Sequence, residues 1–207
     1  MSSNAQVYYG FRNAEGRTFP FKKEDITRFP ALKLDVDTSY VRHFGMMTNL
    51  QAHAVLKWFE SGRYAEGFPI DPDFPNPNPI DHNSDTLVHH LKVYEFAGHY
   101  GIAELARLAL EQVMTAGDKL KFVDLLRALI HNGFYFTGTT TPFLNYVVDH
   151  ASLINEDVTR EDITDVQQTL TYNRTFENII LVNLLEKEFE NQQLRDALYP
   201  DPSIIFD

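Results

Sequence analysis

Between Leu87 and Leu110 apolar residues recur every three or four positions. Leu87, Leu91, Tyr94 and Gly98 form one stripe, bordered by Val88, Val93, Ala97 and Tyr100, while His90, Lys92 and Glu95 stay outside it. That period belongs to a helix with one buried face. Gly101 supplies the left-handed residue that ends the helix. Ala103, Leu105, Ala106, Leu108, Ala109 and Val113 then rebuild an apolar face on a second helix. None of these side chains does chemistry, so the segment predicts packing.

The rest of the chain is read in the same way. Gln6–Arg12 and Arg17–Phe21 are aromatic-rich and alternate roughly in period two, and Asn13-Ala14-Glu15-Gly16 lies between them. This predicts a β-hairpin. Lys22–Leu34 has Ile26, Phe29 and Leu32 at helical spacing, interrupted by Pro30. Ser39–Met47 predicts a helical turn leading into a short strand. Asn49 is the expected N-cap of a helix over Leu50–Ser61, with Ala54, Val55, Trp58 and Phe59 on its apolar face and Gly62 at its end.

Five of the ten prolines fall between Phe68 and Pro79, spaced by Asp and Asn. Such spacing forbids a helix interior and a central strand, which predicts an extended, exposed insertion. Ser84 is the expected cap of the helix that follows. Beyond Leu110 the pattern is all helical: Leu120–His131, Pro142–Leu153 with Thr141 as cap, Arg160–Leu170 and Arg174–Leu198. No repeat recurs at a fixed period.

Composition narrows the functional classes. The 207 residues are 43% apolar, with 16 Phe and 10 Tyr, which is a folded and aromatic-rich chain. With 29 acidic against 18 basic residues the net charge is −11, and this disfavours nucleic acid and anionic lipid as partners. There is no cysteine, so disulfides, thiolate metal sites and a Cys nucleophile are excluded. No signal peptide and no membrane span are expected, which points to a cytoplasmic or nuclear setting.

Candidate chemistry is sparse. His82, His89 and His90, with Asp81 and Asp85 nearby, are the residue types that bind zinc. However, His89 and His90 are adjacent, about 100° apart around a helix, and cannot both face one ion unless His82 wraps back from a loop. They are expected to be ordinary half-exposed helix residues. Asp71-Pro72-Asp73 lacks the glycine and ligand spacing of a calcium loop. Gly138-Thr139-Thr140-Thr141 matches neither a phosphate loop nor a nucleophile elbow. No catalytic residue, metal or cofactor is expected.

Two stretches resemble the BTB/POZ domain, in the form found in filamentous fungi. Trp58-Phe59-Glu60-Ser61-Gly62-Arg63-Tyr64 is similar to the aromatic helix end W-[LI]-Y-[ST]-G-x-[LY]. Lys92-Val93-Tyr94-Glu95-Phe96-Ala97-Gly98-His99-Tyr100-Gly101-Ile102-Ala103-Glu104-Leu105 is similar to K-V-Y-x-L-A-x-K-Y-x-I-x-x-L. The acidic insertion between these motifs and the long helical tail fit the same family, and the resemblance runs from about Val7 to Leu153. Departures occur at Phe21–Ile26 and Arg28–Leu32, where the family's His- and Ser-containing stretch is replaced. Met46-Met47-Thr48 stands where cullin-binding members carry a hydrophobic-x-Glu motif, so binding to a cullin-3 scaffold is not expected.

The resemblance implies an α+β architecture: a BTB/POZ-like small sheet flanked by helices over 5–115, with the Pro/Asp-rich insertion at 66–83. A helical C-terminal extension, 116–207, is expected to pack on it. It also implies a non-catalytic adaptor or scaffold that binds protein partners and self-associates, for instance as a homodimer. The aromatic surplus offers two candidate interface patches, Tyr9, Phe11 and Phe19 on the hairpin and Tyr40, Phe44 and Met46 after it; core packing is the competing role for both. The rival classes are an enzyme whose site shows no motif and a metal-binding helical protein using His82, His89 and His90.

Overall fold

The computed structural model describes residues 8–37, 44–64, 79–134, 136–137, 140–152, 158–170 and 175–198. These residues are mostly helical, with one two-stranded antiparallel sheet. The chain divides into two compact units, 1–116 and 117–207. Among the described residues no helix is long and apolar enough to cross a membrane.

In the first unit, β1 (Tyr8–Arg12) and β2 (Thr18–Lys22) pair from Tyr8↔Lys22 to Arg12↔Thr18. Asn13 closes the turn: its backbone N–H donates to the Arg17 carbonyl at 3.0 Å, and its side-chain oxygen accepts the Arg17 N–H at 2.9 Å. The register sets Phe11 opposite Phe19 and Tyr9 opposite Phe21 on one face. Phe11, Phe19 and Phe21 are buried. α1 (Lys23–Thr27) and α2 (Pro30–Asp37) follow, and Pro30 opens the second helix, where its missing N–H costs nothing.

The expected helical turn and strand over Ser39–Met47 takes another form. Residues 38–43 lie outside the described set, and Phe44–Met46 is a 3-10 turn. Instead of entering a strand, Met47 accepts the Ala14 N–H of the hairpin turn at 3.0 Å. Phe44 points into the hairpin face, with ring centroids 5.6, 5.8 and 5.4 Å from Phe11, Phe19 and Phe21. Phe96 closes the other side at 6.1 Å.

α3 spans Asn49–Ser61. Its cap is Thr48, one residue before the expected Asn49: the Thr48 hydroxyl accepts from the Gln51 N–H, and the Gln51 side chain accepts from the Thr48 N–H at 2.8 Å. Asn49 has a different partner, because its backbone N–H donates to the Glu15 carboxylate at 2.9 Å. Gly62 ends α3 by donating to the Trp58 carbonyl.

α4 (Pro79–His99) begins five residues before the expected cap, Ser84, so the end of the proline-rich segment is helical. Residues 65–78 of the insertion lie outside the described residues. Gly101, at φ +67°, ends α4 as expected, with the Ile102 N–H reaching back to the Ala97 carbonyl at 2.8 Å. α5 (Ala103–Gly117) buries Leu105, Ala109 and Val113.

The second unit contains α6 (Phe122–His131), α7 (Thr141–Ser152), α8 (Arg160–Leu170) and α9 (Phe176–Leu198). α6 buries seven of its ten residues and ends at Gly133, φ +61°, in the same left-handed arrangement as Gly101. It is tied to α8 by Arg127, which meets Asp124 at 2.9 Å, Asp162 at 3.1 Å and Asp165 at 2.5 Å. Partial burial works against the Arg127 charge, and the three carboxylates outweigh it. Asp162 also accepts the Thr159 N–H and hydroxyl, so one carboxylate both caps α8 and anchors it.

Gly117 leaves room for Tyr146. A Cβ there would lie 2.4 Å from the Tyr146 hydroxyl, which donates to Asp118 at 2.9 Å.

Two substitutions test this packing. Phe44→Ala empties the centre of the hairpin cluster and is expected to cost about 3–5 kcal/mol in denaturant unfolding; a cost below ~1 kcal/mol would mean the rings collapse without it. Gly117→Ala is expected to lower the melting temperature, and to do so less in a Tyr146→Phe background, where the clashing oxygen is gone. Strict additivity of the two changes in a double-mutant cycle would refute the contact.

Candidate functional site

A buried cluster of titratable groups in the first unit forms where the chain leaves α3. Gly62 turns it back, and two residues later Tyr64 packs on α4. The Tyr64 hydroxyl and His90 Nδ1 share a 2.7 Å hydrogen bond. The His89 ring stands edge-on to His90, with centroids 4.9 Å apart and planes at 88°.

Both histidines are buried, contrary to the expectation of half-exposed helix residues. The cause lies in α4 as a whole. Leu87, His89, His90, Leu91, Val93, Tyr94, Phe96 and Ala97 are all buried and span about 220° around the axis, an arc that includes both histidines, while Val88, Lys92, Glu95 and His99 on the remaining side are half-exposed or exposed. A buried face that wide takes the polar residues within its arc inside as well.

Burial sets their chemistry. Removal from water pushes His89 down to about 3, and the neighbouring His90 adds to this; burial pushes His90 down to about 4. Burial also raises the Tyr64 phenol above its ordinary range. At neutral pH all three groups are therefore uncharged. An imidazole held that low is a poor proton acceptor, so the trio is suited to hydrogen bonding rather than to general-base work. Among the described residues no three His, Asp or Glu side chains converge as a metal site requires. His82 lies on α4, but its side chain is outside the described set.

The six candidate interface residues divide. Phe11, Phe19 and Phe44 are buried in the first unit and form the centre of its aromatic core, so their side chains offer no contact surface. Tyr9 is half-buried at the end of the same hairpin face. Met46 is 58% exposed on the 3-10 turn. Tyr40 lies outside the described residues. On the opposite face of the hairpin, Tyr8 is 50% exposed beside Gly10, Arg12, Thr18 and Pro20. The Phe11–Phe19 pairing is what separates core from surface, and it depends on the turn length rather than on the aromatic content of either strand.

The histidine pair makes stability depend on pH. Unfolded histidines titrate near 6.5, whereas folded His89 and His90 titrate at about 3 and about 4. Above pH ~6.5 both states are neutral and the full stability is present. Below it the unfolded chain takes up protons that the folded chain refuses, so stability falls with pH until the folded values are reached. The limiting slope is about 1.4 kcal/mol per pH unit for each histidine. Unfolding free energies measured between pH 7.5 and 5.5 are expected to decline, and to decline less in a His89→Leu/His90→Leu variant. Equal slopes would show that the pair is not the cause.

The chain matches no protein-family model, no curated protein and no solved structure, so its own residues carry the functional reading.

Proposed function

We propose that the chain is a protein–protein interaction module of BTB/POZ type, an adaptor or scaffold that performs no catalysis and self-associates through the surface around its hairpin. The observation that carries this reading is the Tyr64–His90 bond. It joins the end of the Trp58–Tyr64 stretch to α4, the helix that contains most of the Lys92–Leu105 stretch. The two sequences that resemble the family thereby belong to one packed unit, which supports the reading.

The surface left over suits docking. Tyr8 and Met46 are large, apolar and exposed, and Tyr9 is half-exposed at the end of the inward hairpin face. Tyrosine loses little conformational entropy on binding, and methionine adapts to irregular partners. Pro20 denies β2 one backbone donor, while β1 contains no proline, so β1 is the strand better able to accept another chain at its edge.

Charge placed on this surface tests the reading without touching the core. Tyr8→Asp/Met46→Asp is expected to lower the oligomeric mass by removing the contact made through the hairpin, measured by light scattering on a sizing column, and to leave the melting temperature within about 2 °C of the parent. A parent chain that is monomeric throughout, or an oligomer indifferent to both charges, would rule out a hairpin interface.

A further inference from the structure

α9 presents two apolar faces, and the second unit uses only one of them. Leu181, Val182 and Leu185 are buried, together with Asn178. At 100° per residue they lie 100–200° around the axis from Ile180. Ile180 begins a second series: Leu184, Lys187, Asn191, Leu194 and Leu198, at successive steps of four, three, four, three and four. All six fall within ~40° of one line along the helix. The four apolar members are 40%, 38%, 60% and 71% exposed, and Lys187 and Asn191 are exposed as well.

Alternating steps of four and three are the heptad repeat, in which a seam of this kind meets another helix. We propose that this face of α9 pairs with the same face of a second copy of the chain, as a short parallel two-stranded coiled coil about 27 Å long. The charges beside the seam select that partner and that direction. In heptad terms Leu184, Asn191 and Leu198 are a positions, Ile180, Lys187 and Leu194 are d positions, Glu190 is a g position, and Glu188 and Arg195 are e positions.

Parallel pairing brings each g residue to the e residue five places on in the other helix. Glu190 then meets Arg195 of the second copy, twice per dimer. Antiparallel pairing sets g against g and e against e, opposing Glu190 to Glu190 and Glu188 to Glu188. Asn191 supports the parallel arrangement, because an asparagine at one a position meets its own copy across the axis and fixes register and strand number.

In the single chain Glu190 bonds Lys187 and Arg195 bonds Glu188, both on the surface. Exposed pairs of that kind contribute little, so exchanging one for an interchain pair costs little. Lys187, at a d position, meets its own copy in the parallel pair, and together with Asn191 it keeps the association weak and concentration-dependent. This seam lies in the second unit, and the proposal does not depend on the hairpin reading.

Sedimentation equilibrium of the full chain tests it. The parent is expected to be a reversible dimer, and Leu194→Asp to raise its dissociation constant at least about tenfold, equivalent to 1.4 kcal/mol. Because Leu194 is exposed, the far-ultraviolet spectrum and melting curve should be preserved. Glu190→Arg should weaken the dimer, and Glu190→Arg/Arg195→Glu should restore it. The absence of native cysteine allows a direct test of direction: Leu194→Cys should oxidise to a disulfide dimer much faster than Gln193→Cys, which lies off the seam. A monomeric parent, an Asp variant that dimerises as the parent does, or equal oxidation of the two cysteine variants would overturn the proposal.

Discussion

A two-stranded hairpin buries too little to persist in water by itself, and this one depends on what closes its inward face. Phe44 fills that role, seated within 5.8 Å of Phe11, Phe19 and Phe21 and backed by Phe96 from α4. The same few residues of chain also hold the turn. Met47 accepts from Ala14, Asn49 accepts from Asn13 at 2.9 Å, and Glu15 lies against the first N–H groups of α3. A carboxylate at that end of a helix contributes about 0.3–1 kcal/mol through the dipole alone. Hairpin, 3-10 turn and α3 are thus coupled through both an aromatic and a polar contact. Loss of the ring at 44 would loosen all three.

Closing a core with phenylalanine leaves little that can ionise inside it, and the histidine pair fits that rule. Buried imidazoles are tolerated when neutral and when their nitrogens find partners. His90 finds one in Tyr64, and that bond fixes the chain where it leaves α3. The residues that look most like chemistry in the sequence therefore do architectural work. Their cost appears only in acid, where protonation and burial become incompatible.

Periodicity made most elements legible: the hairpin, the break at Pro30, the end of α3 at Gly62 and the end of α4 at Gly101 all follow from local chemistry. What was illegible depends on neighbours. Asn49 and Thr48 are both good caps by residue type, and the choice between them turns on Glu15, which is 34 residues away in sequence and occupies the Asn49 N–H. The start of α4 at Pro79 was hidden by prolines that read as an extended run, although proline is well suited to a first helical turn. His90 lies outside the apolar stripe of α4 yet is buried, because the buried face of that helix is about 220° wide, broader than the stripe. Phe11, Phe19 and Phe44 could belong to a core or an interface until register and the Phe44 turn placed them together. Their residue types alone could not separate those roles.

The two proposed surfaces face the same electrostatic obstacle. A net charge of −11 makes like copies repel at long range. At physiological ionic strength that repulsion is screened beyond about 8 Å, while contacts at van der Waals distance are not. Self-association of such a chain must therefore come from apolar patches with locally matched charge. The exposed side of α9 has that form: four apolar residues flanked by Glu190 on one side and Arg195 on the other, so its pairing sets two complementary contacts against the one layer where Lys187 meets its own copy. The hairpin surface is apolar too, but Arg12 and Lys22 at the strand ends give it a basic fringe. An acidic chain with a basic fringe on one surface attracts its own copies, or an acidic partner, there. The hairpin surface is accordingly suited to a different partner as well as to self-association, whereas the α9 seam, with its asparagine and its reciprocal charges, is matched to itself.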